Sequence, residues 1–314
     1  MKKTIIALAT LAVVGAASAQ STLNLYGVAD VWLGSVRSAG GSTTQLGDDG
    51  LASSRLGFKG TEDLGGGLKA NFLLEQGLDL TTGSGGSFDR QSYVGLSGGF
   101  GAVQLGNTFT AFDDINGAAN SGFDSALSAT SGVWVGYVSN PMSNIKYIAP
   151  EMGGFGGAAS FTRNGKGNNL VSVQGNYTAG AVYVGVAYQA DEATSFGATK
   201  TTHTLVNGSY DFGAFKLLGS LRNVKNPDTG AEKATEFQFG ADVPLSSTLT
   251  LSAGYAQSKD ETGGVQLEKR TGLGLAVGYS MSKRTTLYGG VQQAKFKVAD
   301  TTDRLAAVGI NHKF

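Results

Sequence analysis

Residues 68–75 read Leu-Lys-Ala-Asn-Phe-Leu-Leu-Glu, with apolar side chains at the even positions and mostly polar ones at the odd positions. A period of two is the mark of a β-strand with one apolar and one polar face. The alternation returns at 171–177, 236–243 and 248–255, and no 3.6-residue apolar stripe follows the first 19 residues. Between these stretches lie short glycine- or proline-bearing turns at 61–67, 98–101, 150–154, 178–180, 211–214, 244–247 and 280–284. Longer polar connections lie near 38–50, 79–88, 108–132, 163–169, 190–202, 223–235, 258–267 and 297–303. The seven short and eight long connections alternate strictly and imply sixteen strands of about 10 residues each.

An even number of strands, with short turns on one rim and long loops on the other, describes an all-β transmembrane antiparallel barrel. A soluble β-sandwich would need bulky apolar residues on the face it buries. Here the alternate face is Lys, Glu, Asn, Gln, Ser and Gly, which suits a water-filled interior, while the apolar face suits lipid. Tyr177, Tyr188, Tyr210, Phe212, Tyr255 and Tyr279 are placed by this pattern near strand ends, as interfacial girdles.

Composition narrows the function. The 24 basic and 24 acidic residues balance, which gives no basic stripe for nucleic acid. No cysteine is present, so disulfide scaffolds, thiolate metal sites and cysteine nucleophiles are excluded. The two histidines, His203 and His312, are far apart and lack a local ligand pattern, so no metal is expected. His203 is expected in or near a loop, and His312 at the periplasmic interface. Residues 95–99 match the GxSxG elbow of hydrolases, but that elbow needs a strand-to-helix turn in an α/β fold. Residues 154–159 mimic a dinucleotide fingerprint with no helix to follow it.

At the N-terminus, Lys2 and Lys3 precede an apolar stretch that ends at Ala17-Ser18-Ala19. That is the pattern of a cleaved secretory signal, too short for a spanning anchor. The expected organisation is a signal peptide over 1–19 and a single barrel domain over 20–314.

SRLGFKGTEDLGGGLKA (54–70) and RQSYVGLSGGFGAVQLGN (90–107) resemble the general-diffusion porins of Gram-negative bacteria, particularly the betaproteobacterial branch. LNLYGVAD (23–30), SKRTTLYGG (282–290) and the final VGINHKF (308–314) support the resemblance, which spans the chain after the signal. It implies a sixteen-stranded barrel, a homotrimer in outer-membrane lipid and lipopolysaccharide, and a third loop folded into the lumen. It also implies passive diffusion of small hydrophilic solutes and ions without a cofactor, and a terminal Phe314 read by the barrel-insertion machinery.

Alternation and resemblance together single out the pore residues. Arg55 and Lys59 lie opposite Leu56 and Phe58 and should face the lumen; Lys69, Glu75 and Asp30 should face its water. Arg90 matches the family's basic residue on the wall facing the third loop. No Lys or Arg lies between Arg90 and Lys146, while Asp113, Asp114 and Asp124 give the third loop a negative charge. A positive wall opposite a negative loop would set up a transverse field in confined water. Asn107 and Asn140 stand where relatives carry arginine, which should weaken any anion preference. Arg222 and Arg270 share the lumen parity but are expected nearer the loop ends, with less influence. The competing functions are a saccharide-specific channel, for which the polar face has few aromatics, a barrel enzyme, which the scarcity of histidine disfavours, and an adhesin.

Overall fold

In the computed structural model, the residues described are 22–163, 169–192, 200–226 and 232–314; the expected signal, with Lys2, Lys3 and the 17–19 cleavage site, lies outside them. The chain forms one antiparallel sheet whose order closes on itself. Its strands are β1 (Thr22–Ser38), β2 (in two pieces, Gly41–Asp48 and Arg55–Gly65), β3 (Leu68–Asp79), β4 (Gln91–Gly98), β5 (Gly101–Asn107), β6 (Asn144–Ile148), β7 (Phe155–Arg163) and β8 (Asn169–Ala179). They continue as β9 (Val182–Asp191), β10 (Thr201–Asp211), β11 (Lys216–Lys225), β12 (Glu232–Pro244), β13 (Leu249–Thr262), β14 (Val265–Ser280), β15 (Thr285–Phe296) and β16 (Thr301–Lys313). Sixteen strands result because both pieces of β2 pair with β1, and because the two-residue ladder Ser84–Gly85 belongs to a loop. Closure comes from β1 and β16, in register from Val28↔Lys313 to Arg37↔Arg304. The barrel is the one the alternation predicts.

The two faces are solvated in opposite senses. Leu25, Leu33, Val94, Val186, Phe239, Leu273 and Val308 are exposed on the outer wall, whereas Ser172, Gln189, Asn207, Gln238 and Ser252 are buried. Only a lipid solvent outside reconciles such an apolar surface with closed backbone pairing. Tyr177, Tyr210, Phe212 and Tyr279 sit next to the short turns, with Tyr177 against Phe155 and Phe212 between Tyr210 and Phe215. Tyr255 lies away from the short turns, in the middle of β13 beside Phe237 and Phe239, with Gln257 and Lys259 following it on the same face.

Two expectations need correction. The polar stretches 38–50 and 258–267 are largely hairpins rather than loops, because strand pairing continues past the apolar belt. At the second, Gly263 and Gly264 take positive φ (57° and 84°), the geometry a two-residue hairpin turn demands. His203 lies near a loop as expected, as the third residue of β10, and is fully buried. Asp30 has polar-face parity but no water: it is fully buried and organises the break in β2. Its carboxylate accepts from the amides of Gly50, Leu51 and Ala52 (3.0 Å each), from Tyr288 Oη (2.5 Å) and from Asn311 Nδ2 (2.7 Å). Three amides that leave the ladder at 50–52 thereby regain an acceptor.

Candidate functional site on the polar face

The polar face of β2 to β4 carries a compact set of charges. Glu75, buried on β3, accepts Arg90 Nε at 2.9 Å on one oxygen and Tyr26 Oη at 2.7 Å on the other. Arg55 lies on β2 within the fields of both Arg90 and Glu75, and makes no ion pair among the described residues. Lys59, further along the same strand, holds its Nζ 5.0 Å from the centre of the Tyr26 ring. Among the described residues, this wall therefore has one neutralised pair and two cations with no carboxylate partner. Lys69 is elsewhere: it lies six residues from Glu75 along β3, about 20 Å at ~3.4 Å per residue, beside the short turn.

Residues 108–143 join β5 to β6, and this segment runs along the polar faces of β7 to β15 before turning back. It contains one helical turn, α1 (Asp113–Asn116), and a 3-10 turn, Gly122–Asp124. On the outward run, Ala111 N donates to Ser160 Oγ (3.2 Å), Phe112 N to Ser172 Oγ (2.7 Å) and Gly122 N to Ser252 Oγ (2.7 Å). Wall amides reach the segment's carbonyls: Asn207 to Ile115 (2.5 Å), Gln238 to Ala119, Gln292 to Ser131 (2.7 Å) and Gln189 to Val138 (2.9 Å). Irregular backbone at membrane depth is tolerated only when its polar groups are satisfied in this way or by water. Close approach needs small wall residues. A Cβ at Gly254 would overlap Ser121, and one at Gly272 would overlap the Ala129 carbonyl.

Both ends of the segment are tied to one point of the charged wall. Asn107 Nδ2 donates to the Asp89 carbonyl (2.8 Å); Asn140 Nδ2 donates to the carbonyls of Asp89 (3.0 Å) and Arg90 (3.2 Å). Phe109 lies under the Arg90 guanidinium, 5.8 Å from ring centre to Cζ. Asn107 and Asn140 are thus backbone anchors around Arg90.

The segment's acids are less free than their count predicts. Asp114 forms an ion pair with Lys146 of β6 at 2.5 Å, and Asp113 accepts Tyr137 Oη at 2.5 Å. Asp124 accepts Asn120 Nδ2 at 2.7 Å and has no cationic partner among the described residues. Burial pushes the Asp113 carboxyl up to about 6, with Asp114 nearby adding to the rise and the Tyr137 bond opposing it. Asp114 and Asp124 are also raised by burial, against the pull of Lys146 and Asn120 respectively. The expected uniform negative loop is therefore partly cancelled.

Arg222 lies toward the loop end of β11 as expected, but it is buried, bonded to Glu236 of β12 and in contact with the segment through Trp134 and Val135. Arg270, by contrast, pairs with Asp260 at 2.5 Å within the wall. Sequence reasoning also missed Lys146, Glu236, Trp134 and Tyr137. Parity places Lys146 and Glu236 on the polar face, but no period predicts which loop residue would meet them. Residues 95–99 run from β4 into the turn to β5, so the GxSxG string has no helix behind it. His312 is exposed at the end of β16, its Nδ1 2.9 Å from Thr285 Oγ1.

Residues 4–299 match the family described as Gram-negative porin. The chain is 34% identical to outer membrane porin protein 32 of Delftia acidovorans over 330 aligned residues, covering 96% of this chain and 92% of that protein. It is 28% identical to the major outer membrane protein P.IB of Neisseria lactamica, with 100% of both chains covered. Among solved structures, the anion-selective porin from Comamonas acidovorans is similar with a TM-score of 0.80 and 26% identity, covering 94% of this chain and 100% of that one.

Proposed function

The chain belongs to the Gram-negative porin family and is an outer-membrane channel, and from that premise we propose that it passes small hydrophilic solutes and ions passively through an opening narrowed by segment 108–143. The observation that carries this reading is the chain of hydrogen bonds between that segment and the polar face of β7 to β15. The segment leaves the charged wall of β2 to β4 as the side along which solutes pass. Arg55 and Lys59, which have no carboxylate partner among the described residues, give that passage a bias toward anions; Glu75 is spent on Arg90 and Tyr26, and Asp114 on Lys146. The anion selectivity named for the Comamonas porin is in keeping with that bias. Residues 1–19 act as a cleaved signal, the mature chain 20–314 assembles as a homotrimer in lipid and lipopolysaccharide, and no catalysis or cofactor is involved. Reversal potentials across a potassium chloride gradient test the bias: a potential of anion sign supports it, and one of cation sign contradicts it.

A further inference from the structure

We propose that the buried pair Arg222–Glu236 is the clasp that fixes the returning limb of segment 108–143, and so sets the width and steadiness of the opening; this rests on the reading that the segment narrows the lumen. The two residues face one another across β11 and β12 in register, both almost wholly buried, with Nε 2.5 Å from Oε2. Together they hold both backbone groups of a single loop residue. Glu236 Oε1 accepts the Val135 amide at 2.7 Å, and Arg222 Nη2 donates to the Val135 carbonyl. Val135 thus gets from two side chains what a neighbouring strand would give it, and its side chain packs with Val224 and Ala234 of the same two strands.

The guanidinium touches both limbs of the segment. Its Cζ lies 4.7 Å from the Trp134 ring centre and 5.9 Å from that of Tyr137 on the returning limb, and Nη1 lies 3.5 Å from Asn116 Oδ1 on the outgoing limb. Among the described residues, the other hydrogen bonds between the wall and the returning limb are neutral: Gln292 and Gln189 donate one each, and Asn140 donates to the carbonyls of Asp89 and Arg90. Bonds to charged groups are roughly twice as strong as neutral ones, and removing one partner of a buried pair leaves a costly uncompensated charge. Arg222 and Glu236 are positioning residues: they act on permeation through the segment.

Single-channel recording on the full-length assembled protein tests the assignment, with Arg222→Ala, Glu236→Ala, Glu236→Gln, Arg270→Ala and a chain shortened within 113–128. Arg270→Ala breaks another arginine–carboxylate pair, less deeply buried, whose bonds, to Ser258 and Asp260, stay within the wall. Open-channel noise and brief conductance substates should rise several-fold in the Arg222 and Glu236 variants and stay at the native level in Arg270→Ala, with heat-modifiable mobility confirming a folded barrel in each. If the alanine variants do not assemble, Glu236→Gln, which removes the charge and keeps the shape, should still raise the noise. Native noise in the folded Arg222 and Glu236 variants overturns the clasp, as does equal noise in Arg270→Ala. If shortening the segment changes the conductance in that experiment, the narrowing still stands; if it changes nothing, the narrowing fails with the clasp.

Discussion

At the scale of single residues, a charge counts by what it is not bonded to. Arg55 has no carboxylate partner among the described residues and Arg90 shares Glu75 with Tyr26, so replacing both arginines by Glu should move permeability toward cations. Lys69→Glu, placed near the short-turn rim, should move it far less. The difference should shrink in molar salt, where the Debye length is about 3 Å. A reversal potential that responds equally to both changes would show that the narrow point is not at Arg55. Asp113 adds a dependence on pH. Its folded value of about 6 lies above the unfolded one, so the protein holds that proton more tightly when folded. The associated stability is fully present below the ordinary carboxylate range and is lost as pH rises through about 6. The same titration adds a negative charge to the segment, so permeability should tilt toward anions as pH falls from about 7 to about 5, across the Asp113 value. Asp113→Asn should flatten part of that slope, and an unchanged slope would assign the titration to other groups. Parity showed which face Arg55, Lys59 and Glu75 share. It could not show that Glu75 is committed to Arg90, because Arg90 lies outside the strand and only the folded turn brings it back.

At the scale of elements, the small residues of the polar face form a trough for segment 108–143. Gly272→Val should force the backbone at Ala129 off the wall and lower conductance, whereas Leu273→Val on the lipid face should leave it unchanged. Equal conductance in the two variants would mean that the segment does not depend on close contact with β14. The chain end is an element of its own kind. Phe314 exchanges two backbone hydrogen bonds with Gly27 at 3.1 Å, and its ring covers the space a Cβ would take there. Deleting Phe314 should therefore reduce the heat-modifiable assembled form more than Phe237→Ala does, and a normal yield after deletion would count against its role in assembly. Strands are legible in this chain because each must present opposite faces to lipid and water. The hairpins at 41–48 and 262–265 are not, since beyond the membrane both faces meet water and the alternation fades. The break at 49–54 is also hidden, because it depends on Asp30, which looks like any other polar-face residue until the loop folds over it.

At the scale of the whole molecule, closure of the barrel follows from the chain having no tolerable free edge in lipid. The strand number follows from counting alternating turns and loops, which is why the architecture is legible without any knowledge of contacts. The course of segment 108–143 is not legible that way: its contacts join residues up to 161 positions apart, and no period in the loop fixes their direction. The central claim is that this segment narrows a water-filled channel, and single-channel conductance with neutral solutes of graded size tests it most directly. Shortening the chain within 113–128 should raise the conductance and let larger solutes through, while the barrel keeps its heat-modifiable mobility. The same conductance step and the same size limit in the shortened chain would contradict it.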